Sequence, residues 1–273
     1  MYPNPLYCTQ KDFQMGIPSN YEGFGGCERE ILESCLQPGM HVVDIGANIG
    51  FLSLIMAEKV GPTGKVSAFE PEQHNYGLLQ KNIQLKNVSN ITSYHAAVGD
   101  YVGTIKMFLS DRGDTGDHRV YQPQPVSDLR SSSFEQQFEL RSDECRSPTQ
   151  HQRYTKDVNL TTLNTCFGCP VGLIKIDVQG FETQVIRGAH QVIKNSPNLI
   201  LFTEYDPKLL NDAKNDPYEF LELLDQYFNI FDIHPDVSGY LVPIFSKNFR
   251  SYVADLMHPR TGRFSNLLCR KKP

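Results

Sequence analysis

The sequence has no excess of basic residues. Its 26 lysines and arginines are outnumbered by 31 aspartates and glutamates, which leaves a net charge of -5 at pH 7. A protein that binds a phosphate backbone usually presents a basic face, and only Arg270, Lys271 and Lys272 form a basic cluster here. We therefore expect no nucleic-acid partner.

Long apolar runs and paired cysteines are also missing. No segment approaches the ~20 apolar residues of a membrane-crossing helix, and the N-terminus lacks a basic stretch followed by an apolar one. The seven cysteines are scattered, and Cys166 and Cys169 form a lone C-x-x-C, which favours ordinary thiols over a zinc or redox site. These absences predict a cytoplasmic protein with reduced thiols and no membrane partner.

The first hundred residues alternate between strand and helix patterns. With 273 residues and 40% hydrophobic content, the chain can bury the core of a single domain that spans 1–273, preceded by an N-terminal extension over 1–27. Such alternation indicates an α/β fold with a parallel sheet. The predicted elements are a helix over 28–36, a strand over 41–45, a helix over 51–59, a strand over 65–69, a helix over 74–85 and a strand over 91–97.

The pattern fails in the middle of the chain and then resumes. Residues 111–156 are rich in Ser, Gln, Asp and Arg and contain three prolines, which predicts a lid-like or disordered insertion. No internal repeat is visible. The other predicted elements are strands over 103–109, 171–176 and 198–204, helices over 181–194 and 217–227, and strands over 228–233, 240–244 and 266–269.

The segment VVDIGANIG, residues 42–50, runs from a predicted strand into a glycine-rich turn. Ligands of open α/β sheets bind at the carboxyl ends of the strands, so this turn is a candidate site. A dinucleotide-binding turn has the pattern G-x-G-x-x-G. Here Asn48 replaces the second glycine, which it can do where the backbone is left-handed, and Phe51 replaces the third. The departures favour a cofactor without phosphates.

Glu70, in the stretch AFEP, ends the second predicted strand and can bind the hydroxyls of a ribose. S-adenosylmethionine has a ribose and no phosphate. NAD also uses an acid at this position, so a NAD-dependent oxidoreductase is an alternative, which the missing third glycine argues against. The candidate cofactor-binding residues are Asp44, Gly46, Ala47, Asn48, Gly50, Phe51, Glu70, Pro71 and Ala97.

Six motifs together resemble one family. VVDIGANIGFLS, AFEPE, HAAVGD, GDTGDHRVY, TTLN and LIKIDVQGFETQVIRGA are similar to motifs of the FkbM family of S-adenosylmethionine-dependent methyltransferases, over residues 28–204. Family members usually have Glu at the position of Gln179. The resemblance implies a Rossmann-like fold, with a mostly parallel seven-stranded sheet, an antiparallel last strand and helices on both faces. It also implies O-methylation of a hydroxyl on a sugar or natural product.

Asp177 closes the predicted strand LIKID at the edge where ligands bind, which makes it a candidate base. The alternative is that it caps the following helix. His118, within GDTGDHRVY, is the other candidate base, because histidine accepts protons near neutral pH. Asp117, Glu182 and Glu204 are candidate substrate-binding residues, although Glu182 could instead favour the positive end of a helix dipole.

The stretch DVQGF lacks the two prolines that follow an Asn or Asp in enzymes that methylate nitrogen, which favours an oxygen acceptor. Carboxylates 114, 117, 177 and 204 are of the kind that magnesium uses, but nothing in their spacing demands a metal, and we predict none. The expected acceptor is therefore a small-molecule or glycan hydroxyl. A Rossmann-like module that binds S-adenosylmethionine without catalysis is the remaining alternative.

Overall fold

The computed structural model describes residues 6–7, 26–110, 117–121, 154–233, 241–258 and 264–273. Strands and helices alternate through the first of the long segments, as predicted. Its elements are α1 Gly26–Ser34, β1 His41–Ile45, α2 Phe51–Val60, β2 Lys65–Phe69, α3 Gln73–Leu85, β3 Ile91–Tyr94, β4 Ala97–Val98 and β5 Gly103–Phe108.

The described residues after 153 complete the fold. The predicted helix over 181–194 is divided into two, and three helices that periodicity did not predict are added. The elements are β6 Thr155–Thr161, α4 Leu163–Cys166, β7 Leu173–Ile176, α5 Glu182–Gly188, α6 His190–Asn195, β8 Ile200–Tyr205, α7 Pro207–Asp212, α8 Pro217–Asp225, β9 Phe228–Ile233, β10 Leu241–Ile244, a 3-10 turn Ser246–Asn248, α9 Phe249–Met257 and β11 Ser265–Lys271.

The central sheet has the order β10-β9-β11-β8-β7-β1-β2-β3. Strands β3, β2, β1, β7 and β8 pair in parallel, whereas β11 is antiparallel to both of its neighbours, β8 and β9. The predicted Rossmann-like sheet of seven strands with an antiparallel last strand is therefore confirmed. Strand β10 adds an eighth, antiparallel edge strand.

A second sheet, with the order β4-β6-β5, corrects several predicted boundaries. The predicted strand over 91–97 is divided into β3 and β4, and the strand over 103–109 belongs to this second sheet. Residues 155–156 of the predicted insertion are part of β6, and the last two residues of the predicted N-terminal extension are part of α1. These pairings join segments about 50 residues apart, which local periodicity does not reveal. Most of the predicted insertion lies outside the described residues.

The two central strands, β1 and β7, are buried almost throughout because helices cover both faces of the sheet. Their two charged residues, Asp44 and Lys175, are 0% and 5% exposed. A buried charge needs a partner, so this pair marks the place where the core meets the predicted turn. Within the described ranges, no helix is long and apolar enough to cross a membrane.

Candidate active site

The turn after β1 has the backbone that the sequence predicts. Gly46, Asn48 and Gly50 have φ values of 77°, 49° and 89°, so all three are left-handed, and Asn48 takes the place of a glycine as expected. The amides of Gly46 and Ala47 donate to the carbonyl of Phe69 at the end of β2, at 3.0 and 2.9 Å. The turn is thereby attached to the strand that carries Glu70.

Glycine is required at both ends of this turn because neighbouring atoms leave no room for a side chain. A Cβ at Gly46 would lie 1.9 Å from the backbone oxygen of Asp177, and one at Gly50 would lie 2.4 Å from Cδ1 of Leu79. A side chain at position 46 would therefore meet the end of β7. The same contact brings Asp177 directly beside the turn.

Glu70 is 5% exposed and holds two backbone groups. Its Oε2 accepts from the amide of Asn48 at 2.8 Å, and its Oε1 accepts from the amide of Glu72 at 2.8 Å. Burial raises the pKa of Glu70 to about 7, against the two amides, which lower it. Each carboxylate oxygen has a second lone pair that can accept a hydroxyl proton.

Lys175 joins the turn to both acids of the central strands. Its Nζ donates to the carbonyl oxygen of Gly46 at 2.9 Å and lies 3.3 Å from Asp44 and 3.7 Å from Asp177. Burial lowers the pKa of Lys175, but Asp44 and Asp177 outweigh it and raise the pKa above its ordinary value. The sequence reasoning missed this residue, although a lysine inside an otherwise apolar strand was a visible signal.

Asp44 supports the turn from beneath instead of presenting its carboxylate to a ligand. It is completely buried, its Oδ2 accepts from the hydroxyl of Ser53 at 2.5 Å, and its other oxygen faces Lys175. The predicted cofactor contact is thus replaced by a structural role. Ser53, which lies in α2, was not predicted.

Asp177 is the exposed carboxylate of the site. Its side chain is 43% exposed at the carboxyl end of β7. The cap position of the following helix is Phe181, so the alternative that Asp177 caps this helix is wrong. The side-chain nitrogen Nε2 of Gln179 donates to the carboxylate of Asp177 at 3.0 Å and to that of Glu204, at the end of β8, at 2.9 Å. The structure therefore brings the two predicted acids together through a residue that can only be neutral.

Glu182 lies beneath the loop that joins β7 to α5. It is 3% exposed, and its Oε1 accepts from the amides of Val178 at 3.3 Å and Gly180 at 3.1 Å. Burial raises the pKa of Glu182 to about 7. This position favours the structural alternative over the predicted substrate contact, which stays a prediction.

The segment 117–121 packs against the same loop. Its Arg119 pairs with Phe108 at the end of β5 and donates from Nε to Asp117 at 2.5 Å and from Nη1 to the hydroxyl of Tyr121 at 3.2 Å. The ring of Tyr121 lies against Gly180, where a Cβ would be 3.0 Å from it. The motifs GDTGDHRVY and DVQGFE therefore meet, as a shared site requires.

His118 is a poor base in this arrangement. The amide of Ser110 donates to its Nδ1 at 3.0 Å. In a neutral imidazole whose Nδ1 accepts, Nε2 carries the proton and cannot take another. The structure therefore favours Asp177 over His118 for proton acceptance. Asp117 remains a predicted substrate contact, with its carboxylate paired to Arg119.

The other predicted cofactor residues have different surroundings. Ala47 is buried between Ala68 and Leu79. The ring of Phe51 packs among Ile49, Leu54 and Leu78, so only its backbone could face a ligand. Pro71 lines a surface cavity of about 320 Å³ together with Glu72, His95 and Lys156. Ala97, buried in β4, pairs with Leu160 in the second sheet.

Two other sequence predictions can be compared with the described residues. No group of three or more metal-binding side chains occurs among them, and Asp114 lies outside them. Cys166 and Cys169 are both free thiols, as expected. The sulfur of Cys169 lies 3.8 Å from Nδ1 of His41, at the opposite edge of the sheet from the turn.

The strand order and the glycine turn with its acid define the class of Rossmann-like methyltransferases. A family model described as the methyltransferase FkbM domain matches residues 44–230, which is more than half of the chain. The chain belongs to this family of S-adenosylmethionine-dependent methyltransferases.

Relatives with known sequences or structures are distant. Methyltransferase 1 of Beauveria bassiana is 26% identical over 155 residues, which cover 54% of this chain and 57% of the relative. Methyltransferase sdnD of Sordaria araneosa is 27% identical over 165 residues, which cover 55% and 60%. The chain thus spans under two thirds of both relatives. The solved structure of methyltransferase FkbM from Methylobacillus flagellatus is 14% identical with a TM-score of 0.48, covering 89% of this chain and 50% of that chain.

The residues at the turn fit the family's cofactor, S-adenosylmethionine. The side-chain oxygen of Asn48 is buried and has no hydrogen-bond partner among the described residues. An unsatisfied buried acceptor of this kind is costly unless a ligand supplies a donor. Asn48 and Glu70 are adjacent, so one ligand with an amine or hydroxyl donor could satisfy both.

Proposed function

We propose that the protein transfers a methyl group from S-adenosylmethionine to a hydroxyl of a sugar or natural product. One observation carries the proposal: Asp177, whose side chain is 43% exposed, lies with its backbone against the glycine turn. The backbone of Asp177 meets Gly46, and its carboxylate is held from two sides, by Lys175 and Gln179. A base fixed next to a cofactor turn is what transfer to an alcohol requires.

The cofactor-binding roles follow from the same geometry. Glu70 would accept the ribose hydroxyls with its remaining lone pairs, and the side-chain oxygen of Asn48 would accept a hydrogen bond from the amine of the amino-acid end. When bound, S-adenosylmethionine supplies a methyl group on a positively charged sulfur. The absence of a side chain at Gly46 and Gly50 lets the left-handed turn pack closely against the end of β7 and against Leu79.

Asp177 performs the proton transfer. With S-adenosylmethionine bound as the methyl donor, the carboxylate of Asp177 would accept the proton that the acceptor hydroxyl loses. Since this carboxylate is 43% exposed, it can release the proton to water afterwards. Glu204, which is tied to Asp177 through Gln179, and Asp117, which is paired with Arg119, are the candidates for binding the other hydroxyls of a polyhydroxylated substrate.

Oxygen is favoured over nitrogen as the acceptor atom. The loop after β7 contains no proline between Asp177 and Phe181, so it lacks the Asn/Asp-Pro-Pro-aromatic motif whose carbonyl and side chain accept the hydrogens of an amine in nitrogen methyltransferases. A carboxylate that only accepts hydrogen bonds is suited to an alcohol.

The experiment uses S-adenosylmethionine labelled in its methyl group with a panel of methyl glycosides and matched amino sugars whose hydroxyls are blocked. We expect label in the glycosides and none in the blocked amino sugars. Transfer to the amino sugars alone would overturn the oxygen assignment, and transfer to no member of a broad panel of alcohols would overturn the proposed activity.

A further inference from the structure

Gln179 occupies a strained position between the two acids of the site. Its φ is 55°, a left-handed conformation that is unfavourable for a residue with a long side chain. The next residue, Gly180, has a φ of 99°, and a Cβ there would lie 2.7 Å from the carbonyl of Leu209. Backbone strain of this kind persists only where surrounding contacts maintain it.

Those contacts come from three sides of the loop. Glu182 accepts the amides of Val178 and Gly180 from beneath. Asn215, from the segment between α7 and α8, donates to the carbonyl of Gly180 at 3.0 Å. The ring of Tyr121 covers the same glycine. The loop is therefore held in one conformation, which aims the amide of Gln179 at both carboxylates.

We propose that Gln179 is a positioning residue for methyl transfer, whose amide ties Asp177 to Glu204 and thereby fixes the direction in which Asp177 meets the acceptor hydroxyl. This inference rests on the proposed function. One nitrogen carries two hydrogens, and the two distances of 3.0 and 2.9 Å assign one hydrogen to each carboxylate. Asp177 is otherwise exposed, so without this bond its carboxylate would be restrained only by Lys175.

The electrostatic surroundings explain why a neutral donor is suitable here. Glu204 faces the carboxylates of Asp177, Glu182 and Asp206, and Lys175 is the cation that offsets them. Burial is the largest cause that holds the pKa of Glu204 well above its usual range, and these carboxylates add to it. A Glu at position 179 would add a carboxylate within about 3 Å of two others, and it could donate only while protonated, and then only once.

The test compares three variants of the full chain. Gln179→Met keeps the length of the side chain and removes both hydrogen bonds. Gln179→Glu keeps the shape and adds a charge. Gln191→Met, which changes an exposed glutamine on α6 whose side-chain amide donates to Asn195 at 3.0 Å, is the control for losing an amide. Thermal unfolding and the affinity for S-adenosylhomocysteine show whether each variant retains its fold and cofactor site.

For Gln179→Met we expect turnover on a methyl glycoside acceptor to fall about 10- to 100-fold, with affinity for S-adenosylhomocysteine unchanged within about threefold. For Gln179→Glu we expect activity only at low pH, because the new carboxyl group must keep its proton to donate. Unchanged turnover in Gln179→Met, or a pH profile of Gln179→Glu equal to that of the wild type, would overturn the proposal.

A second readout is independent of the acceptor. Carbon-13 NMR of labelled glutamate carboxyl groups, assigned with Glu204→Gln, follows the titration of Glu204. Removing a donor that stabilises the charged form should move its midpoint upward by about 1 pH unit in Gln179→Met and leave it unchanged in Gln191→Met. An unmoved midpoint would show that the amide does not join the two groups. If the midpoint moved in Gln179→Met but the wild type transferred no methyl group, the link between the two groups would be confirmed and the proposed function refuted.

Discussion

Replacing Lys175 with Met tests how the glycine turn is supported. The change keeps the length and most of the volume of the side chain but removes the charge that faces Asp44 and the donor to Gly46. Because Asp44 is fully buried, it is left as an uncompensated charge. Breaking a buried ion pair by removing one partner costs about 3–5 kcal/mol.

That loss is large enough to measure directly. At about 2 °C per kcal/mol for a chain of this size, Lys175→Met should lower the melting temperature by roughly 6–10 °C. Affinity for S-adenosylhomocysteine should also fall, since the carbonyl of Gly46 loses its donor. The assays are thermal or urea unfolding and equilibrium titration with S-adenosylhomocysteine.

Two controls isolate the buried pair. Lys208→Met removes a surface lysine that pairs with Asp212 at 3.3 Å, and it should cost at most about 1 kcal/mol. Adding Asp44→Asn to Lys175→Met should restore part of the lost stability, because the unpaired charge is gone. If Lys175→Met were as stable as the wild type and bound S-adenosylhomocysteine equally well, the proposed support of the turn would be refuted.

Four other substitutions test separate parts of the site. Gly46→Ala should lower the free energy of unfolding by about 2–6 kcal/mol, because its Cβ would meet the backbone of Asp177. Gly77→Ala in α3, where the added Cβ has open space around it, is the control and should raise the free energy of unfolding by about 0.5–1 kcal/mol. Equal stability of the two variants in urea unfolding would contradict this prediction. Asp177→Asn should lower turnover by about 10²-fold or more while S-adenosylhomocysteine binds within a few-fold of the wild type, and undiminished turnover would remove Asp177 from the chemistry. Glu70→Ala should weaken S-adenosylhomocysteine about 10- to 100-fold in the same titration, and unchanged affinity in a folded variant would exclude Glu70 from the cofactor site. Burial raises the pKa of Glu70 from 4.5 in the unfolded chain to about 7 in the folded chain, so its contribution to stability is greatest below about pH 4.5 and falls as pH rises to 7. Glu70→Gln should lose this component of the pH dependence. An unaltered stability–pH curve would contradict the buried placement of Glu70.

Local pattern was sufficient for the elements near the turn. The left-handed backbone of Asn48 could be predicted because Asn tolerates this conformation better than most residues and here replaces a glycine of the turn. Its φ of 49° agrees. The strand that leads into the turn, β1, follows from a continuous apolar run, which a sheet covered on both faces requires. The acid at the end of β2 follows from the same topology.

Contacts between distant segments could not be read in this way. The partners of Lys175 lie on β1 and in the turn, about 130 residues earlier, and only the parallel register of β1 and β7 shows that they meet. The second sheet depends on β5 pairing with β6, which follows a long segment of low periodicity. Phe51 was assigned to the cofactor by its position in the motif, but its ring packs in the core.

The identity of the cofactor is tested most directly by equilibrium titration of the wild-type protein with S-adenosylhomocysteine and, separately, with NAD. The left-handed turn with Asn48 and the buried acid Glu70 predict saturable binding of S-adenosylhomocysteine at one site per chain and no comparable binding of NAD. Tighter binding of NAD, or failure of S-adenosylhomocysteine to bind the folded protein, would contradict the assignment of this turn to a methyltransferase cofactor.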